Sequence, residues 1–202
     1  MNQIIKNTII LFVITLVAGI CLGTVHDITL DPIAQAQEAA ATKTYQEVYP
    51  DAASFDEPQE LADAVTAAAD SISEWGFGKV TINDAKEALD ASGNQIGYLI
   101  TSTSAESYGG NVQIAVGITN EGELTGIGFL SISDTPGLGM RAKEPDFKDQ
   151  FIGKKAENLE VTKTGASADN QIDAISGATI TSKAVTNATD AAIYFVANCL
   201  AQ

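Results

Sequence analysis

The sequence predicts an α+β protein with a single N-terminal transmembrane helix followed by one domain, a twisted, mainly antiparallel sheet flanked by helices. Three observations lead to this class. An uncharged apolar run fills residues 9–25, strand-like segments follow one another closely between residues 79 and 132, and helical periodicity occurs on both sides of them. Because no internal repeat is evident, we expect the polar part of the chain to form one domain.

The apolar run is predicted to be a membrane anchor. At about 1.5 Å per helical residue it spans roughly 25 Å, slightly less than a hydrocarbon core of about 30 Å. Ile4 and Ile5 extend it, and Lys6 can reach the membrane surface. Lys6 lies on one side and the acidic residues Asp27 and Asp31 on the other, so we expect a cytoplasmic N-terminus and an extracytoplasmic domain in a single-pass cell-membrane protein.

A cleaved signal peptide is the alternative interpretation of this run, because Ala34-Gln35-Ala36 would suit a signal peptidase. This site lies far beyond Val25, however, and the apolar run is longer than a typical signal core, so a retained anchor is favoured. Lipidation of Cys21 is disfavoured because the bulky Ile20 precedes it. The predicted organisation is an anchor over residues 1–31, a linker or helical continuation over 32–44, and an extracytoplasmic globular domain over 45–202.

The elements of this domain follow from periodicity. Apolar positions from Glu57 to Ser73 recur at helical spacing, and Trp75-Gly76-Phe77-Gly78 ends the pattern. Asn120-Glu121-Gly122 is a plausible hairpin turn. The remaining elements are strands around 79–83, at 96–103, 111–119 and 123–132, a short helix near 144–151, a strand near 159–164, and a final helix over 182–198.

Composition excludes several functions. The chain has 11 Lys and Arg residues against 26 Asp and Glu, a net charge of -15 that repels nucleic acid. One histidine, His26, and two distant cysteines, Cys21 and Cys199, provide neither a catalytic triad nor a metal-ligand spacing. Most hydrolase and metalloenzyme classes are therefore excluded.

The stretch 173–183, DAISGATITSK, contains several hydroxyls and one glycine ahead of a predicted helix. A helix N-terminus attracts anions through its free N–H groups, and Gly177 allows a ligand to approach the backbone. Lys183 adds a positive charge. These residues are compatible with a phosphate cradle, and equally with a helix cap that binds nothing.

Residues 173–182 resemble the flavinylation motif of the FMN-binding domain family, with an aspartate three residues before Ser-Gly-Ala-Thr. The resemblance implies that a flavin transferase esterifies the hydroxyl of Thr179 with the phosphate of FMN, and that residues 45–202 form the FMN-binding domain. It also implies that four neighbours serve recognition and positioning: Asp173, Ser176, Gly177 and Ala178. Two further residues, Thr181 and Ser182, would lie near the phosphate.

Two further stretches resemble elements of the same family. Residues 133–139, SDTPGLG, resemble its TPGLG loop near the flavin, which implies contacts from Thr135, Gly137, Leu138 and Gly139. Asp134 occupies the position of an acidic residue common in the family, whereas Ile132 stands where a histidine is common, so no role passes to it. Tyr108-Gly109-Gly110 resembles the YGG element. Apolar candidates for contact with the flavin ring, each also compatible with a core position, are Trp75, Tyr108, Phe129 and Leu138.

The family includes the G subunit of Rnf complexes and the C subunit of the sodium-pumping NADH:quinone oxidoreductase. The anchor and the compact length favour the G subunit. The implied function is electron transfer through covalent FMN in an Rnf-type ferredoxin:NAD+ oxidoreductase coupled to Na+ or H+ translocation, in which other membrane and peripheral subunits supply the remaining redox sites. The alternatives are the C subunit, a stand-alone flavinylated electron-transfer protein, and a non-enzymatic anchored binding protein.

Overall fold

The computed structural model describes residues 2–155 and 158–200, which form two compact units divided between Thr42 and Lys43. Helix α1, Asn2–Val48, begins in the first unit and ends in the second. Its apolar side chains between Ile4 and Ile33 are exposed, and within the described residues it is the one helix long and apolar enough to cross a membrane. Residues 32–44 are helical, with Pro32 inside the helix.

The second unit contains a five-stranded antiparallel sheet whose strands are neighbours in chain order. The strands are β1, Ser54–Asp56; β2, Val80–Leu89; β3, Gln95–Ser107; β4, Gly110–Thr119; and β5, Leu124–Ile132. The turn between β4 and β5 uses Gly122 at a φ of 74°, closed by a hydrogen bond from its N–H to the Thr119 carbonyl. The predicted α+β class and the antiparallel sheet are confirmed.

Helices and short strands complete this unit. They are α2, Gln59–Ala68; α3, Pro145–Lys148; β6, Glu160–Thr162; β7, Gln171–Asp173; and α4, Thr179–Phe195, followed by a π-helical turn, Val196–Leu200. Short 3-10 segments occupy Ile72–Glu74, Gly139–Lys143 and Asp149–Phe151. Strands β6 and β7 pair in parallel as a separate two-stranded sheet.

Several predicted boundaries differ from the structure. The final helix begins at Thr179, three residues before the predicted start, so the motif threonine lies in the first helical turn and not ahead of it. The helix predicted over 57–73 ends at Ala68 and is followed by a 3-10 turn. Strand β2 extends to Leu89, well beyond the predicted 79–83, because its outer half pairs with β1 and the start of β3.

The principal core lies between the sheet and α4. Phe151, Phe195, Ile100 and Ile114 are fully buried there, and alanines of α4 let the helix approach the strands closely. Ser102 of β3 donates a hydrogen bond to the carbonyl of Ala188 at 2.9 Å, which joins the sheet to the middle of the helix. Helix α4 is therefore held along its length, and its N-terminal end has a fixed position.

The opposite face of the sheet is covered by the last turn of α1 and the residues that follow it. Val48, Leu99 and Ala115 form a small cluster. A Cβ added to Gly128 of β5 would lie 2.6 Å from a methyl of Val48, so only glycine permits this approach. Tyr49 is also buried and donates a hydrogen bond to the Ile96 carbonyl at 2.8 Å. Residues 43–49 are thus part of the domain's packing.

Candidate functional site

The N-terminal end of α4 is shaped by a tight turn over residues 175–178. The N–H of Ala178 donates to the Ile175 carbonyl at 2.9 Å, and Gly177 adopts a φ of 79°, a conformation that favours glycine. The buried Ser182 hydroxyl accepts a hydrogen bond from the Ile175 N–H and donates one to the Ala178 carbonyl, both at 3.0 Å. Ser182 therefore fastens the turn to the first helical turn.

A cavity of about 490 Å³ opens beside this turn, a size typical of sites for cofactors. The loop after β5 forms its other wall, and Leu138 lies so close to Gly177 that a Cβ there would be 3.1 Å from a Leu138 methyl carbon. Three apolar side chains at the cavity are well exposed: Tyr108, Leu138 and Ile180. The described residues that line it are Tyr108, Asp134, Thr135, Leu138, Gly139, Gly177, Ala178, Thr179, Ile180 and Thr181.

Asp134 joins the segments that form the cavity. Its Oδ2 accepts hydrogen bonds from the hydroxyls of Thr181 and Ser107, each at 2.7 Å, and its Oδ1 accepts one from the N–H of Thr135 at 2.9 Å. The backbone of Gly109 also donates to this carboxylate. Burial opposes ionisation, but these donors outweigh it, so the pKa of Asp134 lies below its usual value and the group is ionised at neutral pH.

Two glycines permit this arrangement. A Cβ at Gly139 would overlap the Asp134 carboxylate, and a Cβ at Gly109 would lie 2.8 Å from the Asp134 Cα atom. Neither position tolerates a side chain without movement of the loop. Gly109 and Gly139 therefore permit the close packing of backbone around one carboxylate.

The hydroxyls near the helix start differ in availability. Those of Thr181 and Ser182 are fully buried and engaged in the hydrogen bonds described above. Thr179 is half-buried and lines the cavity, and its hydroxyl makes no hydrogen bond to the described residues. Thr135 also lines the cavity with its hydroxyl unengaged, but it lies in a loop. Thr179 alone of these four is both unengaged and in the first turn of a helix.

Seven of the twelve predicted site residues surround this cavity, and five do not line it. Asp173 and Ser176 line a second, smaller groove of about 160 Å³, together with Arg141 and Glu144. Ser182 is buried under the turn, and Lys183 is exposed outside the cavity lining. Gly137, with a φ of 77°, is exposed in the loop after β5. The seven are Thr135, Leu138, Gly139, Gly177, Ala178, Thr179 and Thr181.

Three residues have a larger part in the cavity than the sequence indicated. Ser107 carried no recognisable signal, Ile180 belonged to the motif but was given no role, and Asp134 stood out only as the acidic residue before Thr135. Two of the apolar candidates for flavin contact lie elsewhere. Trp75 packs against Tyr194 near the far end of α4, with ring centroids 4.7 Å apart and the ring planes tilted by 39°, and Phe129 packs against the principal core.

The cavity combines features that suit the two parts of a flavin nucleotide. Exposed apolar side chains suit the ring, and backbone that a ligand can approach closely, a free hydroxyl and a helix N-terminus suit the phosphate. Comparison with known proteins agrees. The FMN-binding domain family matches residues 107–194, and the family described as the RnfG N-terminal region matches residues 1–48. Fold and site thus define a protein in which an FMN-binding domain follows an apolar N-terminal helix along the chain.

Relatives over nearly the whole chain are G subunits. The G subunit of the Na(+)-translocating ferredoxin:NAD(+) oxidoreductase complex of Acetobacterium woodii is 35% identical over 96% of this chain and 92% of its own length. The proton-translocating counterpart of Clostridium ljungdahlii is 30% identical over 95% of this chain and 91% of its own. The chain belongs to the family of G subunits of Rnf-type ion-translocating oxidoreductase complexes.

Two other similarities extend the comparison. The G subunit of the ion-translocating oxidoreductase complex of Methanosarcina acetivorans is 31% identical over 96% of this chain and 95% of its own. The solved structure of NqrC from Shewanella oneidensis is 20% identical, with a TM-score of 0.46 over 55% of this chain and 54% of that one.

Proposed function

We propose that this chain is the electron-transfer subunit of a membrane-bound Rnf-type ferredoxin:NAD+ oxidoreductase, coupled to Na+ or H+ translocation, and that it relays electrons through FMN joined by a phosphoester to Thr179. The family membership and the match to the FMN-binding domain support the redox role. The relatives are named as subunits of complexes, so the partners are other membrane and peripheral subunits.

One observation carries the choice of Thr179. Its hydroxyl is unengaged among the described residues, lines the cavity, and lies in the first turn of α4. The first N–H groups of the helix have no preceding helical carbonyls as acceptors, so they can donate hydrogen bonds to phosphate oxygens. A phosphate esterified at Thr179 would therefore lie at a point where the helix stabilises its negative charge.

The remaining predicted residues would act around this bond. Gly177 and Ala178 let the phosphate approach the turn, and Thr181 lines the same wall. Leu138 and Gly139, together with Thr135, offer a partly apolar surface for the flat ring. Bound FMN supplies the electron-carrying chemistry, and the protein orients it and limits the water around it.

Attachment needs an external catalyst. Within the described residues the Thr179 hydroxyl has no carboxylate or other base as a hydrogen-bond partner, so a base of the flavin transferase would accept its proton. The new bond from the Thr179 oxygen to phosphorus would replace the bond between the flavin phosphate and a leaving group on an activated flavin donor. Asp173 and Ser176 do not line the cavity. They line the neighbouring groove, where they remain accessible beside the acceptor turn. They are therefore suited to recognition by the transferase.

The distribution of charge around the anchor supports an extracytoplasmic FMN domain. Lys6 lies before the apolar run and Asp27 and Asp31 after it, which favours a cytoplasmic N-terminus. The proposed organisation is an anchor over residues 1–31, a linker over 32–44 and the FMN domain over 45–202. A covalent bond would keep the cofactor on a side of the membrane where released FMN could not be recovered.

The test is covalent loading after co-expression with a flavin transferase in a host that exports the domain. We expect the denatured wild-type protein to fluoresce in a gel under ultraviolet light, and Thr179→Ala to lose the signal. Thr135→Ala is the matched control because it removes the other unengaged cavity hydroxyl, and it should keep the signal. Peptide mass spectrometry should locate one FMN, less one water, on Thr179.

Two results would contradict the proposal. One is a wild-type protein without covalent flavin under these conditions, and the other is a fluorescent Thr179→Ala variant. Membership in a complex is tested separately, by purification of the wild-type protein from its native membrane. We expect other redox subunits to co-purify with it, whereas a stand-alone flavinylated protein would emerge alone.

A further inference from the structure

Among the described residues that line the cavity, Asp134 alone is charged. Its relative exposure is 7%, so its carboxylate is largely withdrawn from water. Lys183 of α4 is exposed and does not line the cavity. Arg141 belongs to the neighbouring groove, where its Nε lies 3.3 Å from an Oε2 of Glu144.

The negative charge of Asp134 is stabilised by neutral hydrogen-bond donors. The hydroxyls of Thr181 and Ser107 and the N–H groups of Thr135 and Gly109 hydrogen-bond to it, and none of the ion pairs among the described residues includes it. Neutral donors lower the pKa of a carboxyl and keep it ionised without cancelling its net charge. The cavity wall therefore carries one full negative charge with no cation beside it among the residues that the structure describes.

A flavin gains negative charge when it is reduced, and a nearby anion opposes that gain. The opposition is stronger where water is excluded, since the effective dielectric constant near buried groups is far below that of bulk water. The same donors fix the carboxylate in place, so it cannot turn away when the flavin is reduced. A rigid anion at this wall would make the reduced flavin a better electron donor.

We propose that Asp134 sets the reduction potential of the flavin in this cavity, its carboxylate lowering the potential by disfavouring the negatively charged reduced ring. This rests on the proposed occupancy of the cavity by FMN. The ring is the group reduced, the electrons come from an external donor, and Asp134 neither gains nor loses an electron. Its role differs from that of Thr179, which would carry the cofactor without tuning it.

The experiment is a redox titration of the flavinylated full-length protein in detergent, followed by the absorbance of the flavin. Asp134→Asn keeps the size of the side chain and an oxygen acceptor but removes the charge. We expect its potential to shift to a more positive value than that of the wild type. Glu160→Gln is the charge control: it removes one negative charge from an exposed strand position outside the cavity, and its potential should equal that of the wild type.

A second variant covers the case in which Asp134→Asn is not loaded with flavin. Ser107→Ala removes one donor from the carboxylate and leaves its charge less dispersed. The potential should then shift to a more negative value, opposite in sign to the shift expected for Asp134→Asn. A merely structural role for Asp134 predicts no such pair of opposite shifts.

The outcomes separate the two proposals. If the wild-type protein carries no covalent flavin, the proposed function fails at the gel, before any titration. If the wild type is loaded and Asp134→Asn has an unchanged or more negative potential, only the role of Asp134 is overturned. If Asp134→Asn is not loaded, an unchanged or more positive potential in Ser107→Ala overturns it.

Discussion

The side chains around the cavity differ in whether their polar groups are hydrogen-bonded within the protein or available to a ligand. Thr181 and Thr179 are two residues apart in one helical turn, yet the first is buried against Asp134 and the second has an unengaged hydroxyl. By helix-capping chemistry alone, the two threonines are alike. The loop after β5 distinguishes them, because it brings the carboxylate of Asp134 to one of them only.

A second buried carboxyl, that of Asp190 in α4, lies away from the cavity. It is 4% exposed and accepts a hydrogen bond from the N–H of Leu159 at 2.9 Å. Burial raises its pKa to about 7, because one backbone donor offsets only part of the lost hydration. The carboxyl is therefore neutral in the native protein below that pH.

This shift predicts a stability that depends on pH. The native state holds the Asp190 proton up to about pH 7, whereas the unfolded chain releases it near 3.8. The contribution is fully present below the unfolded value and declines as the pH rises through the native value; the shift corresponds to roughly 4 kcal/mol. Asp190→Asn should lack this component, so the stability difference between variant and wild type, measured by urea unfolding, should change between pH 4 and 8. A constant difference over that range would contradict the assignment.

Among the secondary-structure elements, α4 connects the cavity to the sheet and to the core. Its N-terminal turn faces the cavity, its middle is bonded to β3 through Ser102, and its last turn contains the buried Phe195. The helix starts at Thr179 although the β-branched Thr-Ile-Thr sequence has modest helix propensity. Tertiary contacts offset that propensity, since Thr181 bonds to Asp134 and Ser182 bonds to the preceding turn.

Ser182→Ala should test how firmly that turn is held. The substitution removes the acceptor for the buried Ile175 N–H, and an unsatisfied buried donor costs about 1–3 kcal/mol. Chemical denaturation should show a loss of this size. Thr189→Val is the matched control in the same helix: it keeps the buried volume and removes a hydroxyl whose partner among the described residues is the Val185 carbonyl within α4, so the loss should be smaller. Equal losses in the two variants would mean that the turn does not depend on Ser182.

The short strands illustrate a limit of periodicity. β1 and β7 contain three residues each, too few for an alternating pattern to show. β7 exists because it pairs with β6, and the pair leads directly into the turn that precedes Thr179. Its existence depends on a partner strand and not on its own three residues.

At the scale of the whole molecule, the second unit contains all of the buried clusters found among the described residues. Its packing includes the end of α1, since Val48 and Tyr49 are each 2% exposed. A domain that starts at Lys43 therefore keeps its core, whereas one that starts later loses the cover on one sheet face. The first unit has exposed apolar side chains along its length, as a membrane anchor requires.

Truncation should expose this difference. We expect a chain of residues 43–202 to be released from the membrane fraction and to unfold cooperatively on heating. A matched chain of residues 50–202 should be far less stable, because it lacks Val48 and the Tyr49 hydrogen bond to Ile96. Calorimetry on both chains provides the comparison. Equal melting temperatures would show that residues 43–49 are not part of the domain's core.

Short-range patterns in the sequence predict an apolar anchor, an antiparallel α+β domain, and a family motif whose threonine is the expected point of attachment. These follow because hydrophobic periodicity and turn chemistry act over a few residues. The tertiary structure divides the motif between two grooves, with Asp173 and Ser176 in one and Thr179 in the other. It alone brought Ser107, Asp134 and Thr181 together, because hydrogen bonds between residues 27 and 47 positions apart depend on how the whole chain packs.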